Sequence, residues 1–219
     1  MIRELALADA GFLILAARWT VVLALGSALF GGLLGFFVAV ARIVPFKPLN
    51  WLALLYVNLI QGTPLLGQLF VLFFGLPLIL GVQVDAWTAA LLALSIYASA
   101  FLAEIWRGSL QSVPRRQWEA GAALGLTYAQ RFRKVILPQA LRISIAPTIG
   151  FLVQLVKNTS LAALIGFVEL TRAAQIITAA TFSPLQTYLM AAAVYFVICF
   201  ALSLLGQRLE RRFHVARQA

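Results

Sequence analysis

TVVLALGSALFGGLLGFFVAVA, residues 20–41, is an apolar run of twenty-two residues without a charge. At 1.5 Å per residue, a helix of that length crosses the roughly 30 Å hydrocarbon core of a bilayer. Four further runs read the same way: 51–80, 88–106, 143–166 and 185–206. They predict an all-α membrane protein of five transmembrane helices, one transmembrane domain over 1–219. The second run is too long for one straight crossing and contains Gly62 and Pro64, so it is expected to kink or break there.

Composition agrees. Of 219 residues, 63% are hydrophobic and 11% charged, and the mean hydropathy is +0.96. A soluble domain has about 25% charged residues, so this chain lacks the polar groups to cover itself in water. The net charge of +10 would suggest nucleic acid if the basic residues formed a separate face. Here they lie between apolar runs, so they are read as topology signals and nucleic-acid binding is not expected.

Arg42 and Lys47 follow the first run. Arg107, Arg115, Arg116, Arg131, Arg133, Lys134 and Arg142 follow the third, and Arg208, Arg211, Arg212 and Arg217 follow the fifth. Thirteen of the 17 basic residues thus fall on one side. The positive-inside rule makes that side cytoplasmic, with the N-terminus outside and the C-terminus inside. MIRELALADA is too polar for a leader and is read as retained, with 11–19 at the interface and Arg18 and Trp19 as anchors. Residues 169–179 read as an outer amphipathic helix in which Glu169 and Arg172 can pair at i,i+3. Cys199 reads as a packing residue and His214 as a tail residue, and neither belongs to a metal-ligand set.

One long stretch is too charged for lipid: residues 107–142. Pro114 suits a first helical turn, and Gly125 stands where a C-terminal glycine cap belongs. Thr127 with Gln130 forms a capping-box pattern for a second helix, expected to stop at Pro138. The resulting hairpin reads equally as a docking element for a soluble partner or as a solvated loop.

The words in this stretch carry a resemblance. Glu119-Ala120-Gly121 with Leu124-Gly125, then nine residues, then VILP ending in Leu137-Pro138, resembles the EAA loop of bacterial ABC importer permeases. Gly121 and Val135 depart mildly from that pattern. AEIWRGSLQSVP (103–114), LVKNTSLAALIG (155–166) and QGTPLL (61–66) are similar to the polar amino-acid branch, in the family's order. The resemblance implies a type I importer transmembrane-domain fold in the bacterial inner membrane. It also implies two permease subunits, which are copies of this chain or relatives of it. Glu119, Ala120, Gly121, Leu124, Gly125, Leu137 and Pro138 would form the coupling element for an ATPase subunit dimer. A separate solute-binding protein would deliver an amino acid. ATP and magnesium would bind the ATPase, since Lys47, Lys134 and Lys157 lie in no P-loop here.

Ionisable residues within a span mark function by default. Lys157 falls near the middle of the fourth run, beside Gln154, Asn158, Thr159 and Ser160. Glu104 lies roughly 10–15 Å away along the normal, and Arg107, one turn on, is its expected partner. Lys157 is therefore read as the receiver of a substrate carboxylate, the alternative being a structural bond to carbonyls or a neighbouring subunit. Gln61, Gly62, Thr63, Pro64 and Gln68 place a second polar group at mid-membrane, and Pro64 frees the carbonyl of Ile60. The family's fourth span often carries an Asn-Glu pair where this chain has Gly150 and Phe151, which favours an apolar or acidic substrate side chain. The competing classes are a self-sufficient transporter or channel and a membrane scaffold. No inverted repeat or acidic relay supports the former.

Overall fold

The computed structural model describes residues 3–214, so Arg217 lies outside the described residues. Eight helices follow one another: α1 (Leu7–Ile43), α2 (Lys47–Gly62), α3 (Leu65–Leu80), α4 (Ala86–Gln111), α5 (Arg115–Ala123), α6 (Tyr128–Ile165), α7 (Leu170–Thr181) and α8 (Pro184–His214). No strand occurs among the described residues. Helices α1, α4, α6 and α8 are each long and apolar enough to cross a membrane, and α2 with α3 makes a fifth, broken candidate.

α1 begins well before residue 20. Its 37 residues rise about 55 Å, far more than a hydrocarbon core requires. The first turns are therefore a continuation of the spanning helix, not a separate segment. Leu13, Ala16 and Ala17 repeat at i, i+3, i+4 and pack on Leu170, Ala173, Ala174 and Ile177 of α7 and Ala191 of α8. Asp9 holds the start, accepting from the Ala6 N–H at 2.9 Å and pairing with Arg3. Trp19 meets Trp87 and Phe167 edge-on at 5.9 and 6.4 Å, so it serves packing between elements as well as the interface.

The α2–α3 break is at the expected place and bends the chain by 100°. Thr63 is extended (φ −114°, ψ 141°), the conformation a following proline imposes. α6 departs from expectation. The helix does not stop at Pro138 but widens into a π turn over Phe132–Ile136 and runs on. The Leu137 N–H donates five residues back to the Phe132 carbonyl. That wider turn accommodates the proline without ending the helix. The helix finally tightens to 3₁₀ over Thr159–Ile165 and ends at Gly166 in the left-handed region (φ 88°).

The most extensive helix pair is α1 on α4. Ser27, Gly31 and Gly35 form a strip of small residues on α1, facing Ser95, Ala98, Ser99 and Leu102. Lipid offers apolar side chains no less favourable surroundings than protein does, so close backbone approach drives such pairing. A Cβ at Gly31 would lie 2.6 Å from the Ala98 Cβ and 2.7 Å from the Ser95 carbonyl oxygen. Gly32 has only ordinary contacts, at 3.8 and 3.9 Å. Gly31→Ala should therefore cost about 1–3 kcal/mol as an overpacking change, and Gly32→Ala almost nothing. Thermal unfolding in detergent checks this: Gly31→Ala should melt several degrees lower than Gly32→Ala, at roughly 2–4 °C per kcal/mol.

Candidate functional site

The polar hairpin is α5, a glycine turn and the start of α6. The turn is a Schellman closure: the Leu126 N–H donates to the Gly121 carbonyl at 3.1 Å and the Gly125 N–H to Ala122 at 2.9 Å. Gly125 has φ 75°, where a side chain would be strained. The capping box forms as expected, Thr127 N–H to Gln130 Oε1 at 2.9 Å and Gln130 N–H to Thr127 Oγ1 at 3.4 Å. Pro114 sits at the N-cap, one residue before the first helical position.

The departure at Gly121 has a physical reason. Gly121 is buried under the Arg131 side chain, and a Cβ there would lie 2.9 Å from the Arg131 Cγ. Arg131 reaches the Trp118 carbonyl at 3.4 Å, and Trp118 stacks on Tyr128 with centroids 5.4 Å apart. Val113, Ile136 and Ala140 close the base of the hairpin. Glu119, Ala120, Leu124 and Gly125 are left outside. Leu124 is 79% exposed, and Glu119 has no salt-bridge partner among the described residues. Pro138 is exposed and Leu137 half-buried on the continuing helix.

The α2–α3 break and the end of α6 adjoin. Leu65, Leu69, Asn158, Leu161 and Ala162 line one narrow seam. Gln68 donates to the Ile60 carbonyl at 2.8 Å, satisfying the acceptor that Pro64 frees, and to Thr63 Oγ1 at 2.9 Å. Thr63 Oγ1 donates to Leu59, Thr159 Oγ1 to Val156 and Ser160 Oγ to Lys157, all to backbone carbonyls within 2.9 Å. Gln61 reaches the Ala100 carbonyl at 3.4 Å. Much of this polar capacity is thus spent on the local backbone. Lys157 is exposed, with no carboxylate within 4 Å among the described residues. On the same helix, Gln154 donates to Asn158 at 3.1 Å. Phe151, 8% exposed, stacks on Phe101 at 5.5 Å and near Tyr97 at 6.1 Å.

Two carboxylates organise the ends of the bundle. Glu104 pairs with Arg107 as expected, and also accepts from Arg42 Nε at 3.2 Å. Arg42 in turn donates to Asn50 Oδ1 at 2.8 Å, and Asn50 returns a bond to the Arg42 carbonyl. The cluster ties the adjacent ends of α1, α2 and α4. Sequence spacing had no access to Arg42, 62 residues from Glu104. Glu169 corrects an expectation: it is fully buried and makes no pair with the Arg172 guanidinium. It caps α7 through the Arg172 backbone N–H at 2.9 Å and accepts from Thr20 Oγ1 at 3.3 Å and Tyr195 at 2.8 Å. The Arg172 guanidinium goes to Gln175 instead. Burial pushes the Glu169 carboxyl above its ordinary range, against the opposing pull of these hydrogen bonds.

A family model described as "Binding-protein-dependent transport system inner membrane component" matches residues 31–215. The L-cystine transport system permease protein TcyB of Bacillus subtilis is 43% identical over 195 residues, covering 89% of this chain and 83% of that protein. The arginine transport system permease protein ArtQ of the same organism is 35% identical, covering 85% of each. A solved amino acid ABC transporter, with histidines, superposes with a TM-score of 0.88 at 36% identity, over 92% of this chain and 94% of that one.

The raised Glu169 carboxyl has a signed consequence. Below its ordinary value near 4.5, folded and unfolded chains are both protonated. Between that value and the raised folded one, only the unfolded chain ionises readily, so stability is lost as pH rises toward the folded value. Wild type should therefore become less stable than Glu169→Gln as pH rises from about 4 to 8. The gap should close at the acid end, read by thermal melts across pH.

Proposed function

Because this chain belongs to the family of binding-protein-dependent transport system inner membrane components, we propose that it is the permease subunit of an ATP-driven amino-acid importer. The observation that carries the coupling role is the hairpin. Its interior is locked by Gly121, Arg131 and Trp118, while Glu119, Ala120, Leu124 and Gly125 are exposed. A rigid, apolar-tipped knob with one carboxylate suits a cleft on a soluble ATPase dimer, which would bind ATP and magnesium. Family membership sets aside the self-sufficient transporter and the scaffold.

The route of coupling follows from α6. Its helix is continuous from Tyr128 in the hairpin through Leu137 and Pro138 to Ile165. Tyr128 and Lys157 are thus joined by one rod, on the order of 40 Å long. Tilting the hairpin moves the polar end of that rod against the broken α2–α3 pair. The basic residues put the hairpin and C-terminus in the cytoplasm and the N-terminus outside. A second permease, identical or related, would complete the path, and a solute-binding protein would load it from outside.

Lys157 receives the carboxylate of the amino acid, with Gln154, Asn158, Thr159 and Ser160 on one wall. The break at Gln61, Gly62, Thr63, Pro64 and Gln68 forms the facing wall. Its exposed ammonium, free of carboxylates, supports this role. Phe151 stacks where a carboxylate would favour cationic substrates, so an apolar or acidic side chain fits better.

Lys157→Met should raise KM for uptake roughly 10- to 100-fold, the worth of one charge-assisted hydrogen bond, and Lys157→Arg should retain more affinity. Unchanged uptake in both would remove Lys157 from the path. Gly125→Val, which cannot hold φ 75° without strain, should lower substrate-stimulated ATPase activity about tenfold. Gly125→Asn, which tolerates the left-handed region, should lower it less. Full stimulation in the valine variant would show that the turn does not transmit.

A further inference from the structure

Two apolar grooves flank α6 near the hairpin. One, of about 280 Å³, lies between α1, α4 and α6, with Phe36, Val40, Leu137 and Leu141 on its walls. The other, of about 620 Å³, runs between α6 and α8, lined by Ile145, Ile149 and Leu209. They meet at Trp106, Leu141 and Ser144, which belong to both. The Trp106 indole is fixed at that junction by a 3.2 Å bond to Thr148.

One charged side chain lines this surface: Arg142. It is exposed and has no carboxylate within 4 Å among the described residues. Glu210, next to groove-lining Leu209, makes no ion pair with it. Exposed Arg133 and Lys134 precede it by about two turns and add to the positive field. A guanidinium fork matches phosphate oxygens in pairs. The α6–α8 groove carries the Arg142 guanidinium at one end and apolar Ile145 and Ile149 beyond it, an order that matches a phosphate followed by an acyl chain.

The geometry points to a binding site for an anionic glycerophospholipid, its phosphate on Arg142 and an acyl chain in the groove that runs from it past Ile145 to Ile149. The site rests on the importer reading only for its leaflet, the cytoplasmic one, where basic residues attract anionic lipid. A second copy of the chain is the competing occupant. An isologous contact there would set the same basic surface against itself, which charge repulsion opposes.

The test uses the assembled transporter with its ATPase, in mild detergent containing equal phosphatidylglycerol and phosphatidylcholine, with retained lipid counted by native mass spectrometry. Wild type should retain phosphatidylglycerol preferentially. Arg142→Gln should lower that retention about fivefold, the worth of one basic residue at an anionic surface, and Arg142→Lys should fall between. Leu141→Asn should lower retention of both lipids by spoiling the shared wall. Equal retention of the two lipids by wild type, or no change in Arg142→Gln, overturns the site. So does efficient disulfide cross-linking of Ile145→Cys to the second permease, which would show protein in the groove. Lipid counting does not use transport. Lost import with retained phosphatidylglycerol counts against the function alone, and normal import without it counts against the site alone.

Discussion

In a hydrocarbon medium no water is available to bond a freed peptide group, and each irregularity in this chain is organised around that constraint. Pro64 leaves the Ile60 carbonyl without its helical donor, and the Gln68 amide supplies one at 2.8 Å. Thr63 turns its hydroxyl back to Leu59 at the same break. Pro138 would end a helix, but the π turn before it lets Leu137 donate to Phe132 and the rod continues. The Gln139 amide donates to the Val135 carbonyl within that turn. Where α6 tightens to 3₁₀, Thr159 and Ser160 bond the carbonyls of Val156 and Lys157. Polar side chains at the breaks therefore serve the backbone first, and only those left over are free for the proposed substrate role. Lys157 is the clearest of these.

The same scarcity governs charge. The sequence has seven acidic residues against 17 basic ones, and the structure gives the interior carboxylates demanding positions. Glu104 gathers Arg107 and, through Arg42, Asn50, closing the ends of three helices at once. Glu169 caps α7 while holding Thr20 of α1 and Tyr195 of α8. These clusters stiffen the frame at opposite ends of the bundle. What remains uncompensated is mostly positive, and it is concentrated on the hairpin and the adjoining helix ends, as the proposed cytoplasmic orientation requires.

Legibility in the sequence followed the range of the physics. Local signals were read correctly: the apolar runs, the break at Gly62 and Pro64, the glycine turn at Gly125, the capping box at Thr127 and the Glu104–Arg107 pair at i,i+3. Each depends on residues within one or two turns. The failures were of two kinds. The helix stop at Pro138 and the start of α1 were misread because a helix continues whenever its neighbours supply packing or a wider turn, whatever its own propensity. Glu169 was misread, and Glu104 read only in part, because Thr20 and Arg42 lie 149 and 62 residues away from them. Of the candidate site, the Gly125 turn and the Thr127–Gln130 capping box were legible. For the polar residues of α2, α3 and α6, the sequence did not show how much of their bonding the backbone would claim.

The misread proline changes the mechanical picture most. A helix ending at Pro138 would make the hairpin a tethered domain, joined to the membrane by a joint that absorbs motion. A helix that passes through makes the hairpin the end of a lever whose other end carries Lys157. The π turn is then the compliant point, since its hydrogen bonds span five residues rather than four and its register has a local alternative. Pro147 gives a second soft point higher in the same rod. The α1–α4 seam, with backbone approach too close to admit a Cβ at Gly31 or Gly35, cannot share that compliance. On the proposed coupling, force applied at Glu119 and Leu124 would therefore be directed along α6, past the Phe151–Phe101 stack, toward the broken α2–α3 pair rather than dissipated across the bundle.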